Sequence, residues 1–307
     1  MKSHNTAVAF AVATAGIALF SGMDGVMKYL SLALGTYDAL LWRTGAGALI
    51  AAAFFFGHRT AWPNRDTLKV HLTRGIISVP MAMLFFWGLA RVPMAQAIAL
   101  AFVAPLIALY LAALLLREQI ERRAILASLL GLAGVLVIFA GQAEADLGPG
   151  AFLGSVAILI SAGLYAYNII LMRRQALLAK PVEVAFFTTG VMALGFLIPV
   201  PFLALFDSPL RPEIPDLGYF PFIVGAAVLA FASLLLLSWA YARAEAQHLA
   251  PVEYTSIIWA AILGAVFFDE AVEPLTVAGA AMIIVACLVT ATRRSRGVPE
   301  VEAGVHA

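Results

Sequence analysis

Apolar residues in this chain come in long, nearly unbroken runs of about 17–25 residues, separated by short polar connections that carry most of the charge. A run of that length crosses the ~30 Å hydrocarbon core of a bilayer as a helix. Ten such runs are present, at Thr6 to Leu30, Tyr37 to Gly57, Leu72 to Ala90, Pro93 to Leu116, Ala124 to Gly141, Gly150 to Met172, Val182 to Phe206, Leu217 to Tyr241, His248 to Phe268 and Leu275 to Thr292. Alternating ten-residue strands of the barrel type are not seen. The pattern predicts an all-α integral membrane protein with ten transmembrane helices. The first run follows Lys2 and contains Ala13-Thr14-Ala15, as a signal peptide does, but it continues to Leu30 and carries Asp24 and Lys28 in helical register, so it is read as a span.

Composition agrees with this pattern. Of 307 residues, 63% are hydrophobic and 12% charged, against about 25% charged in soluble domains, which leaves too little polar surface for a body in water. The net charge of +1 provides no basic field for nucleic acid. The single cysteine, Cys287, offers neither a disulfide nor a metal cluster, and no cofactor is expected.

The connections alternate in charge. One side collects fifteen basic residues, among them Arg59, Arg65, Lys69, Arg74, Arg122, Arg173 and Arg294, while the other has two, Arg91 and Arg211. Basic loops stay in the cytoplasm, so both termini are expected there, in the cytoplasmic (inner) membrane of a cell. Lys28 and Arg43 remain, inside or close to the bilayer.

The second half resembles the first. At an offset of 152, Arg91 meets Arg243, Glu118 meets Glu270 and Glu121 meets Glu273; at 145, Asp38 meets Glu183, Thr44 meets Thr189 and Gly45 meets Gly190. Five spans per copy is odd, so the copies must lie in opposite orientations, the plan of many secondary transporters with a site at the midplane. The expected division is residues 1–141 as one module, 142–149 as a linker broken by Gly148-Pro149-Gly150, 150–292 as the second module and 293–307 as a cytoplasmic tail.

Arg91-x-x-x-Ala95-Gln96-Ala97, a helix, Leu116-Arg117-Glu118 and a following span resemble the EamA module, and Gln247 through Phe267-Phe268-Asp269-Glu270 is its counterpart. The chain is identified on these residues as similar to the drug/metabolite transporter superfamily. The resemblance implies a ten-helix inverted-repeat carrier of a small molecule with cytoplasmic termini. Met23 to Leu30 and Pro251 to Trp259 are similar to members that carry S-adenosylmethionine, riboflavin or amino acids; efflux of a drug or metabolite is the alternative.

Candidate site residues follow from the cost of polar groups in lipid, about 2.5–3.5 kcal/mol for a charge at a helix centre by insertion scales. Asp24 and Lys28 are four apart and share a helix face, so they either pair with each other or leave Asp24 to bind a proton or a cationic group. Arg43 falls at nearly the same depth; it either offers a planar donor pair to a carboxylate or phosphate, or neutralises Asp24 or Asp38. Asn168, Thr188 and Thr189 stand at roughly matching places of the other half and supply hydrogen bonds instead of charge. Glu253, two residues after Pro251, is a second proton-coupling candidate, or a carboxylate at the cytoplasmic mouth. Gln96, Tyr254 and Trp259 are candidate cavity-lining residues. Glu118 and Glu270 are read as structural, capping the next helix or pairing with arginine. No metalloprotease, serine-hydrolase, phosphate-loop or prenyl-diphosphate motif is present, the five histidines sit mostly in loops and tails, and no filter sequence marks a channel.

Overall fold

A computed structural model describes residues 2–116, 122–144, 149–205, 211–241 and 252–291. Among these there is no strand; the helices are α1 (Lys2–Leu34), α2 (Thr36–Gly57), α3 (Arg65–Leu89), α4 (Met94–Ala101), α5 (Ala104–Leu116), α6 (Arg122–Glu144), α7 (Pro149–Leu178), α8 (Pro181–Leu197), α9 (Val200–Leu205), α10 (Phe220–Tyr241), α11 (Thr255–Phe268) and α12 (Pro274–Ala291). Among the described residues six segments are long and apolar enough to cross a membrane, and shorter apolar stretches at Met94–Ala108, Ile125–Gly141, Thr255–Phe268 and Pro274–Val289 stand where the fourth, fifth, ninth and tenth runs are predicted.

Local chemistry sets the boundaries. Gly35, at φ 85°, makes the one-residue turn from α1 to α2 in a conformation that a side chain disfavours. Asn64 caps α3 by accepting from Thr67 N at 2.8 Å, and Pro181 occupies the first turn of α8, where its missing N–H costs nothing. The turn at Gly35 and the loop holding Asn64 mark opposite ends of the bundle.

The fourth run is not one helix. Its ladder breaks at Phe102 and Val103, ahead of Pro105, whose ring excludes the carbonyl four residues before it and whose nitrogen has no hydrogen to donate. A second irregular turn falls at Tyr254, before α11. At the offset of 152 Phe102 corresponds to Tyr254, and the two rings touch, with centroids 5.1 Å apart. Backbone carbonyls near both breaks accept from side chains: Cys287 Sγ donates to Phe102 O (3.3 Å), Thr255 Oγ1 to Val252 O (2.6 Å) and Ser256 Oγ to Glu253 O (2.7 Å). Non-helical backbone at membrane depth survives only with such partners.

Helix pairing repeats with the halves exchanged. The principal pairs include α1 with α10 and α3 with α7, α2 with α10 and α3 with α8, α1 with α11 and α7 with α4 and α5. Two further pairs, α2 with α8 and α6 with α12, join corresponding helices. The backbones of α6 and α12 approach so closely that a Cβ on Gly134 would stand 2.7 Å from Gly279 O. The core runs along these contacts through Met27, Leu30, Leu89, Met94, Ile138 and Ile283, while Leu49, Phe56, Ile76, Leu126 and Val266 are exposed, as a lipid-facing surface requires.

Candidate functional site

At the Gly35 end, α1 brings Asp24 and Lys28 to one side, but the two do not pair. Lys28 instead makes an ion pair with Glu270 Oε1 and donates to Val92 O at 2.6 Å. The spacing of four permits the Asp24 pair; the tertiary structure offers Lys28 a better-placed carboxylate. Glu270 also accepts from Met94 N (2.8 Å), so it caps α4, not the helix that follows it, and its cation is a lysine, not the arginine considered from sequence. It reaches this place because Asp269 adopts a left-handed conformation (φ 53°) that turns the chain back, with Glu270 N bonding Gly264 O at 3.1 Å. Gly264 leaves the room: a Cβ there would stand 2.6 Å from Glu270 Oε2.

Asp24 is left to Arg43. It is 2% exposed, the two charges attract each other, and no N–O approach within 4.0 Å joins them among the described residues. Asp24 Oδ1 and Arg43 Nε have no hydrogen-bond partner, and neither does Thr188 Oγ1, which corresponds to Arg43 at the offset of 145. The guanidinium lies 5.9 Å over the Phe86 ring, with Nη1 3.9 Å from Met23 Sδ. Buried polar atoms are normally satisfied, so an open acceptor on Asp24 and an open donor on Arg43 suit a ligand carrying the complementary groups.

Arg43 also lines a cavity of about 70 Å³ between α2, α8 and α10, with Thr44, Gly47, Thr189, Met192 and Ala227. Thr44 and Thr189, equivalent in the two halves, face it from opposite sides. Each hydroxyl bonds the carbonyl four residues back, at 2.7 and 2.6 Å, and keeps lone pairs free.

The remaining candidates separate. Gln96 is buried and donates to Ser155 Oγ (3.1 Å), linking α4 to α7. Asn168 does not approach Arg43; it accepts from Arg74 Nε at 2.9 Å, at the other end of the bundle. Glu253 is exposed, and its carbonyl accepts from Ser256 Oγ. Tyr254 sits at the break beside Phe102, and Trp259 packs against the group of Ala13, Ile17, Ala240 and Val252. Glu118, Gln247, His248, Pro251 and residues 145–148 of the linker lie outside the described residues.

Sequence reasoning misplaced two residues. Arg74, counted with the basic loops, lies within α3 and is partly buried, and His71 is 0% exposed. The signal was present, since both fall three residues or fewer from the start of an apolar run, Arg74 one helical turn and His71 two turns from Ser78.

Similarity to known proteins agrees with this architecture. The EamA-like transporter family matches residues 6–140 and again 152–292. The pseudopaline exporter CntI of Pseudomonas aeruginosa is 24% identical over 269 residues, covering 88% of this chain and 90% of that protein. An S-adenosylmethionine uptake transporter of Rickettsia bellii is 25% identical over 270 residues (87% and 88%), and a transporter of Helicobacter pylori 30% over 217 (69% and 70%). A solved crystal structure shares the fold at a TM-score of 0.60 and 20% identity, covering 95% of this chain and 99% of the other. With two matches that together span nearly all of its helices, this multi-pass membrane protein belongs to the EamA-like transporter family and is a transporter of a small metabolite.

Proposed function

We propose that the protein is a gradient- or exchange-driven carrier of the cytoplasmic membrane, working by alternating access of two five-helix modules, residues 1–141 and 150–292, with both termini in the cytoplasm. The Gly35 end is then external and the Asn64 end cytoplasmic. The observation that carries the reading is the buried, incompletely satisfied pair Asp24 and Arg43 beside a cavity shared by helices of both halves.

Arg43 presents a fork suited to a substrate carboxylate. Asp24 takes the cationic part of the same substrate or a coupling proton. S-adenosylmethionine and free amino acids carry a carboxylate beside a cationic centre and fit this pair; riboflavin fits it less well. Lys28, held on Glu270 at the external end, keeps α1, α4 and α11 together. The likeness to an exporter supports efflux as a second direction, since a reversible carrier follows whichever gradient is present.

Counterflow in proteoliposomes loaded separately with S-adenosylmethionine, riboflavin and amino-acid pools tests this. Saturable exchange of one pool is expected, with Asp24→Asn losing proton-driven accumulation while keeping part of the exchange. Silence of the folded protein with every pool overturns the substrate class, and flux that requires ATP hydrolysis by this chain overturns the mechanism.

A further inference from the structure

A second set of buried polar groups lies at the Asn64 end, between α3, α7 and α8. Arg74 donates through Nη1 to Gln175 Oε1, Gln175 Nε2 meets His71 Nδ1, and His71 Nε2 is 3.0 Å from Glu183 Oε1. Arg74 Nε is held by Asn168 Oδ1 (2.9 Å), whose amide nitrogen is 3.3 Å from Ser78 Oγ.

The direction of every bond in this row follows from one fact, that arginine only donates. Gln175 must turn its oxygen to Arg74, so its NH2 faces the histidine and His71 Nδ1 accepts. The single ring hydrogen is therefore on Nε2 and points at Glu183. Turning the amide over would set its NH2 against the guanidinium, donor against donor. Arg74, while docked, thus holds His71 neutral in its hydrogen bond to the Glu183 carboxylate. Glu183 is in the first turn of α8, where the helix N-terminus favours its charge.

Arg74 is also the half-buried member of the row, while His71, Gln175 and Glu183 are buried. The groups around His71 are Glu183 from α8, Gln175 from α7, Arg74 from α3 and the Phe187 ring stacked at 4.8 Å; Arg174 and Lys180 nearby are exposed.

Building on the carrier reading, we propose that this row is a proton site locked by Arg74 and opened by an anionic ligand group. When Arg74 leaves Gln175 for a carboxylate or phosphate, the amide turns over. A proton from cytoplasmic water then binds His71 Nδ1, donates to Gln175 Oε1, and leaves an imidazolium paired with Glu183. One negative group arrives on Arg74 and one proton on His71, so the proton offsets charge brought by the arriving group.

The test uses the full chain in lipid nanodiscs with ¹⁵N-labelled histidine, the His71 signals being identified by their loss in His71→Asn. Wild type should show a neutral ring with hydrogen on Nε2 near neutral pH. Arg74→Met frees the amide and Gln175→Glu supplies an acceptor without disturbing Arg74, so both should show His71 protonated on both nitrogens at that pH. A doubly protonated His71 in wild type, or an unchanged neutral ring in both variants, overturns the proposal. In proteoliposomes His71→Asn should keep counterflow and lose accumulation driven by a pH gradient; retained accumulation also overturns it. The spectroscopic arm needs no transport, so absent counterflow with the expected spectra faults the carrier reading alone.

Discussion

The two ends of the bundle solve the same electrostatic problem differently. At the Gly35 end Lys28 meets Glu270 directly, and Asp24 and Arg43 stand beside them with open hydrogen-bonding atoms. At the Asn64 end Arg74 and Glu183 are kept apart, with Gln175 and His71 passing hydrogen bonds between them. The backbones of the two halves pair in exchanged fashion, yet this chemistry is not exchanged: Arg43 corresponds to Thr188, not to another cation. The packing is near-symmetric, and unlike side chains distinguish the two ends.

The largest predicted effect breaks the direct pair. Glu270→Ala leaves Lys28 buried without its anion and should cost about 3–5 kcal/mol, read from thermal unfolding in detergent. The double variant Lys28→Met with Glu270→Met should recover most of that; a loss as large in the double variant would show that the pair is not the source. Next is Gly264→Ala, which places a methyl group against Glu270 Oε2 and should cost about 1–3 kcal/mol. The same substitution in a Glu270→Ala background should cost much less, and equal costs in both backgrounds would separate Gly264 from the pair.

Smaller effects sharpen the site itself. Arg43→Lys keeps the charge and loses the planar fork, so exchange should fall about tenfold, roughly 1.4 kcal/mol, whereas undiminished exchange would remove the bidentate role. Smallest is Trp259→Phe, which trims packing on Ala13 and Ile17, costs about 1 kcal/mol of stability and leaves exchange unchanged. A clear fall in exchange with unaltered stability would return Trp259 to the cavity.

Much of the fold was legible because lipid is an unforgiving solvent. Ten apolar runs, the charge alternation and the matched Glu118/Glu270 and Thr44/Thr189 positions needed no coordinates, and the resemblance to EamA modules rested on those stretches. The site was legible in part. A charge in an apolar run stands out, as Asp24, Lys28 and Arg43 do, and their similar depth in the bilayer relates Asp24 to Arg43. The partners of Lys28 and Asn168 were not readable, because helical spacing reports only neighbours on one helix, and Glu270 and Arg74 come from elsewhere in the chain. The break at Phe102 was not read from the apolar run, although Pro105 stands beside it, and its contact with the break at Tyr254 required the halves to be packed.

By itself, then, the sequence determined a helical, lipid-embedded chain with a repeated half, because hydrophobic run length and charge placement act locally along the chain. Only the tertiary structure decided which charges meet, which amide faces which ring, and where donors and acceptors stay open. Those outcomes depend on geometry between helices far apart in sequence, where an ångström separates a hydrogen bond from none.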